Sequence, residues 1–130
     1  MREITPGYTA EVSAEVTADK LASAVGSGSL NVFATPMMAA LMEAAACAAV
    51  APFLEEGETT VGTELCIRHT AATPCGMTVT AKAELVSANG RELALNVSAS
   101  DEVGEIGSGT HKRFVVYAER FQQKTEARCK

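Results

Sequence analysis

The run FATPMMAALMEAAACAAV, residues 33–50, is apolar except for Thr35 near its start and Glu43 in its middle. Alanine, methionine and leucine favour the helix, and neither glycine nor an internal proline interrupts the run after Pro36 until Pro52. Thr35 as N-cap and Pro36 at the first helical position would define its start. Apolar nearly all round, the helix is expected to lie buried against a sheet. Its length approaches that of a membrane span, but a central glutamate and the polar chain that follows argue against one. Glu43 then has two readings. It is either a solvent-facing or arginine-paired structural carboxylate, or a carboxylate at the floor of a cleft, where partial desolvation makes it a base or a nucleophile.

On either side of this helix the apolar residues alternate with a period of two. Tyr8, Ala10, Val12, Ala14 and Val16 alternate with Thr9, Glu11, Ser13 and Glu15, the pattern of a half-buried strand. Thr17–Val25 reads as a short helix or turn with Thr17 or Asp19 as caps. The GSGS run at 26–29 reads as an exposed loop near the mouth of any site. Beyond the helix, Pro52 and the acidic run EEGE mark a stop. Val61, Thr63, Leu65, Ile67 and His69 are expected on one strand face and Gly62, Glu64, Cys66 and Arg68 on the other. Residues 74–76 predict a turn, and Asn89–Gly90 a tight hairpin into the strand 91–100. A turn at 101–104 leads to a last strand over 105–119, in which Gly107 and Gly109 imply a bulge or a close backbone contact. The tail 120–130 is polar and is expected to fray.

The order is strand, short helix, long apolar helix, then four strands joined mainly by short turns. This predicts an α+β domain over residues 1–119, with a curved antiparallel sheet wrapped around the central helix and edge strands open to a second copy. With 130 residues the chain has room for one core. Eleven basic against sixteen acidic residues give a charge of -5 with no basic stripe, which excludes nucleic acid as an obvious partner. Cys47, Cys66, Cys75 and Cys129 lack metal-ligand spacing. They read as reduced thiols, Cys47 packing as a small hydrophobe in the helix, with no metal site expected. The N-terminal residues carry no secretory apolar region, so a cytoplasmic location is expected.

Several polar positions and one glycine could carry chemistry. His69 ends an alternating strand and gains value if it converges with Glu43, since imidazole can shuttle a proton near neutral pH. Thr35 is a helix cap or an orienting hydroxyl. Gly62 is a strand glycine or lets its backbone N–H approach an oxyanion. GSGTHKR at 107–113 matches no phosphate-binding fingerprint. Its His111, Lys112 and Arg113 read as a polar strand end, with Lys112 or Arg113 a possible contact to a phosphate-bearing ligand.

Several collinear motifs then carry a resemblance: FAT at 33–35, LME at 41–43, APFLEEGE at 51–58, HTAATP at 69–74 and EIGSGTHKR at 105–113. From Val32 to about Tyr117 the chain resembles the hotdog-fold acyl-CoA thioesterases, and within them the fluoroacetyl-CoA thioesterase group. The resemblance implies a dimer made by joining sheets, with active sites near the subunit interface. It assigns catalytic roles to Thr35, Glu43 and His69, a backbone-positioning role to Gly62, and a supporting role to Arg113. The implied reaction is hydrolysis of a small acyl-CoA thioester. No cofactor is implied, because CoA belongs to the substrate. The same fold also suits hydratases, dehydratases and noncatalytic acyl-CoA-binding dimers. Fluoroacetyl-specific members carry a phenylalanine-containing lid before the FAT motif. Here the corresponding stretch is LASAVGSGSLNV, so the resemblance extends to thioester hydrolysis and not to selectivity for fluoroacetate.

Overall fold

A computed structural model describes residues 1–129. Strand β1 (Thr9–Glu15) leads through a 3-10 turn at Ala18–Lys20 into a one-turn helix, α1 (Ala22–Val25). The long helix α2 (Thr35–Val50) follows, then β2 (Glu58–His69), β3 (Thr78–Asn89), β4 (Glu92–Ser100), β5 (Glu105–Tyr117) and α3 (Ala118–Glu126). The five strands form one antiparallel sheet in the order β1-β3-β4-β5-β2, with β1 and β2 as its edges. Helix α2 crosses the concave face, touching β1, β3, β4 and β2. This is the architecture expected from the sequence.

The core forms where α2 meets that face. Met38, Met42, Ala45, Ala46, Ala49 and Val50 of the helix are buried against Val79, Ala81, Ala83 and Leu85 of β3 and Leu93, Leu95 and Val97 of β4. Alanine recurs on both sides of this contact, so the backbones approach closely, and the methionines fill the gaps left between them. The opposite face of α2 is also apolar but open: Pro36, Ala40, Ala44 and Cys47 are exposed. The expectations that the helix is buried all round and that Cys47 packs inside are therefore corrected for the single chain. One sheet covers only one side of a cylinder. The stretch Thr35–Phe53 is apolar enough to pass for a membrane span, but its inner face is the domain core.

Helix α2 starts one residue away from the expected cap. Ala34 is the N-cap, its carbonyl accepting from the backbone N–H groups of Met37 and Met38, both at 3.0 Å. Thr35 is the first helical residue, which frees its hydroxyl for another partner.

Strand β2 contains a feature that simple alternation misses. Its register against β5 slips between Gly62 and Glu64, leaving Thr63 as an extra residue. The bulge inverts the phase of the strand. Thr60 and Gly62, opposite Val115 and Arg113, share the inner face with Leu65, Ile67 and His69. Val61 and Thr63 do not belong to that set, contrary to the sequence expectation. Gly62 thus faces the helix.

The glycines of β5 serve close approach. A β-carbon at Gly107 would crowd Met38 and the Arg68 carbonyl, and one at Gly109 would overlap the Cys66 carbonyl. Gly109→Ala should therefore force β2 and β5 apart and cost about 1–3 kcal/mol, lowering Tm by roughly 5–15 °C. A thermal melt unchanged from wild type would refute the constraint. The hairpin at Asn89–Gly90 forms as expected, with Gly90 at φ 63. The turn after β4 is held by Asp101, whose carboxylate accepts from the N–H groups of Val103 and Gly104 and from the buried Thr73 hydroxyl. Residues 118–126, expected in part as a fraying tail, form the exposed helix α3.

Candidate active site

The candidate residues gather into two groups at opposite ends of β2. The first joins the start of α2 to the end of β2. With Thr35 uncapped, its Oγ1 shares a 2.7 Å hydrogen bond with Nδ1 of His69. Both line a cleft of about 420 Å³ formed by Ala22, the loop Ser27–Leu30, Val32, Phe33 and Thr70–Ala72. The GSGS run stands at the mouth of the cleft, as its composition indicated. Nε2 of His69 is buried and has no hydrogen-bond partner among the described residues. The ring can thus hold the hydroxyl with one nitrogen and keep the other for a reactant.

Burial of the ring holds the His69 imidazole below its ordinary 6.5, with the Ala71 backbone opposing weakly. The neutral form therefore persists into mildly acidic solution. The unfolded chain takes up the same proton near 6.5, so it binds more protons than the native state between the folded value and 6.5. Folding stability falls as the pH drops through that window. An NMR titration of the His69 ring should give a midpoint below 6.5, with thermal stability declining over the same range. A midpoint above 6.5 would contradict the desolvated geometry.

The second group lies eight residues further along α2, about 12 Å of helix rise from Thr35. Glu43 projects toward β2 and β5, with Oε2 3.6 Å from Nη1 of Arg113. The Glu43 side chain is 43% exposed and that of Arg113 8%. Arg113 is fixed from below: its Nε donates to Thr60 Oγ1 at 2.8 Å and its Nη2 to the Thr60 carbonyl at 3.0 Å. Above Glu43 strand β2 presents a glycine, Gly62, in place of a side chain. A β-carbon on Gly62 would sit 2.7 Å from Glu43 Oε2 and 3.2 Å from Arg113 Nη1. Glu43, Gly62 and Arg113 therefore converge, while Thr35 and His69 form a separate pair.

One member of the second group reads in the sequence as a strand end. His111 is 1% exposed and lies between Leu65 of β2 and Leu95 of β4, with Nε2 3.2 Å from Arg113 Nη1 and Nδ1 2.7 Å from the Glu64 carbonyl. Lys112, by contrast, reaches the outer carboxylates of Glu64 and Glu92 and takes no part in the cluster. The signal for His111 is the face shared by residues 111, 113 and 115 on one strand.

The geometry offers a carboxylate, an unpaired imidazole nitrogen, a hydroxyl and a side-chain-free backbone position, the parts list of a hydrolytic acyl-transfer site. Comparison with known proteins agrees. The family described as fluoroacetyl-CoA-specific thioesterase matches residues 16–119. A fluoroacetyl-CoA thioesterase from Streptantibioticus cattleyicolor is 56% identical over 94 residues, covering 72% of this chain and 68% of that protein. A solved structure of a fluoroacetyl-CoA thioesterase, a threonine-to-serine variant in complex with acetyl-CoA, is 43% identical. It has a TM-score of 0.90 and covers 96% of this chain and 98% of its own. A Thermus thermophilus protein described as a thioesterase superfamily member matches with a TM-score of 0.89 at 31% identity, covering 98% of this chain and 97% of its own.

Proposed function

Because the chain belongs to the fluoroacetyl-CoA-specific thioesterase family, we propose that it hydrolyses small acyl-CoA thioesters to the free acid and CoA. The observation that carries this reading is the Glu43 carboxylate, held 3.6 Å from a buried arginine under a position with no side chain. The thioester carbonyl fits the space that Gly62 leaves open, with a backbone N–H of the edge strand supporting the developing oxyanion.

Two routes share this arrangement. In one, Glu43 attacks the carbonyl, the C–S bond breaks, CoA leaves as thiolate, and water then cleaves the acyl anhydride. In the other, Glu43 takes a proton from water as that water attacks. Borohydride trapping in a single turnover separates them, because only the covalent route forms an acyl-Glu43 anhydride that can be reduced, and peptide mass spectrometry then finds a modified Glu43. In the covalent route His69 takes the proton of the water that cleaves the anhydride; in the other Glu43 takes it and passes it through His69 to the departing CoA thiolate; in both Thr35 orients the ring. No metal or further cofactor takes part.

For the imidazole to serve that carboxylate, a second copy of the chain must complete the site. Gly62 and His69 lie roughly 20 Å apart along β2. Strand β2 is a free edge, and the outer face of α2 beside it is apolar and open. Opposed residues in an antiparallel pair share a face. An antiparallel pairing of β2 with its copy, centred between Gly62 and His69, would carry the His69 end of one strand to the Gly62 end of the other. The proposed enzyme is therefore a homodimer with two composite sites, joined edge to edge through β2.

The test is a panel of acetyl, fluoroacetyl, branched, medium-chain and aromatic acyl-CoA thioesters, with thiol release and acid formation followed together. Wild type should release both in equal amounts. Glu43→Ala should lose roughly a thousandfold or more in turnover while keeping the wild-type melt. Binding without turnover across the panel would replace the hydrolase reading with a noncatalytic acyl-CoA binder. Acyl-chain hydration without thiol release would replace it with a hydratase.

A further inference from the structure

The buried cluster beneath Glu43 contains an imidazole that the reaction does not consume. His111 has two partners of fixed character. The Glu64 carbonyl only accepts, so the proton of the ring sits on Nδ1; the guanidinium of Arg113 only donates, so Nε2 is unprotonated. The ring is therefore neutral, in its Nδ1–H form. That tautomer depends on the bulge, since the phase shift after Gly62 is what accompanies the Glu64 carbonyl being available to the ring.

The other groups around it give this ring a purpose. Leu65 and Leu95 lie opposite His111 on the two neighbouring strands, so an apolar side chain would suit the position. The charged groups facing it are Arg113 on its own strand and Glu43 on α2. Both flank the same point above Gly62, where a β-carbon would also stand 3.3 Å from His111 Cε1. Arg113 places Nε–H and one Nη2–H on Thr60 and one Nη1–H on His111, and Nη1 stands between the His111 acceptor at 3.2 Å and the Glu43 carboxylate at 3.6 Å. The second distance is beyond a charge-assisted hydrogen bond. The arginine lends the carboxylate its field without occupying its lone pairs.

We propose that His111 is a positioning residue that holds Arg113 back from Glu43, keeping the carboxylate oxygen free to attack or to take a proton. The role rests on the thioesterase reading for its consequence, though not for its geometry. Without the Nε2 acceptor nothing tethers Nη1 on the His111 side, and the contact closes into a direct salt bridge with the carboxylate. A carboxylate so engaged is a poorer nucleophile and a poorer base.

Two kinds of measurement test this. In wild type, ¹⁵N-histidine NMR at neutral pH should show His111 as the neutral Nδ1–H tautomer; an imidazolium or the Nε2–H tautomer overturns the proposal. His111→Phe keeps the ring shape and removes both hydrogen bonds, and should lower kcat roughly 10- to 100-fold with KM little changed. His111→Gln, which can both donate and accept, should recover turnover to within about fivefold of wild type. In a crystal structure of His111→Phe, Arg113 Nη1 should close on Glu43 to about 2.8 Å. An unchanged separation, equal losses in the two variants, or undiminished turnover in a folded His111→Phe protein would each overturn it. If wild type hydrolyses no thioester, the functional reading falls, while the tautomer and the Arg113–Glu43 separation still decide the positioning role. Should His111→Phe fail to fold, the wild-type tautomer and the Gln variant decide it.

Discussion

Mixed in equal amounts and allowed to exchange subunits, Glu43→Ala and His69→Ala chains regain roughly a quarter of wild-type turnover, although each alone falls at least a hundredfold. The expectation follows from the separation of the two groups. Thr35 and His69 meet at one end of β2, and Glu43, Gly62 and Arg113 at the other. If each site takes its carboxylate from one chain and its imidazole from the other, a heterodimer of the variants has one site with both lesions and one with neither. Random exchange makes about half of the dimers heterodimers, each with one intact site of two. If instead both groups served one site within a chain, every site in the mixture would carry a lesion and nothing would return. Turnover of the mixture, measured against the separate variants at the same total concentration, distinguishes the two arrangements. Recovery that follows the rate of subunit exchange would establish the composite site, and its absence would remove the β2 joint from the proposed mechanism.

The long helix was legible because its composition and its surroundings agree. Alanine, methionine and leucine favour the helix, Pro36 suits its first turn, and Pro52 closes it. The hairpin at Asn89–Gly90 was legible for a similar reason: Gly90 takes the positive φ that the turn requires. The bulge in β2 was not. A single inserted residue has no composition of its own, and Thr63 is as good a strand residue as its neighbours. Reading the alternation straight through put Gly62 on the wrong face and separated it from Glu43 and Arg113, which it faces.

The candidate residues could be picked out one by one, but not their arrangement. Thr35, Glu43, His69, Gly62 and Arg113 all sit where helix and strand meet, but sequence spacing gives no distance across the sheet. His111 was missed because HKR reads as a polar strand end. The alternation within β5 contradicts that reading, since His111 and Arg113 share the face of the buried Val115 while Lys112 points the other way. A basic triplet in a strand divides between two environments, and its odd members are the ones that can be buried.

Gly62→Ala is expected to lower kcat/KM about a hundredfold while leaving Tm within a few degrees of wild type. The backbone at Gly62 does not have the positive φ that would exclude alanine, so the substitution carries no intrinsic strain. The fold can also absorb the added methyl: the atom it meets at 2.7 Å is the end of the flexible Glu43 side chain, and Arg113 Nη1 at 3.2 Å and His111 Cε1 at 3.3 Å need give way by only a few tenths of an ångström. That is why the cost falls on activity. Moving the carboxylate aside disturbs its 3.6 Å relation to Arg113, and the methyl itself fills the space where the thioester carbonyl would lie. The split between stability and turnover separates this reading from a purely structural one. A glycine kept for packing would show its loss in the melt, as Gly109 should, because there the obstruction is the Cys66 backbone and cannot rotate away. Gly62→Ala with full turnover would show that the reactant does not enter over Glu43. Loss of fold and activity together would show that Gly62 serves the sheet and not the site. Comparing kcat/KM and Tm for Gly62→Ala and Gly109→Ala in parallel therefore locates the reacting carbonyl by which of the two glycines spares the fold.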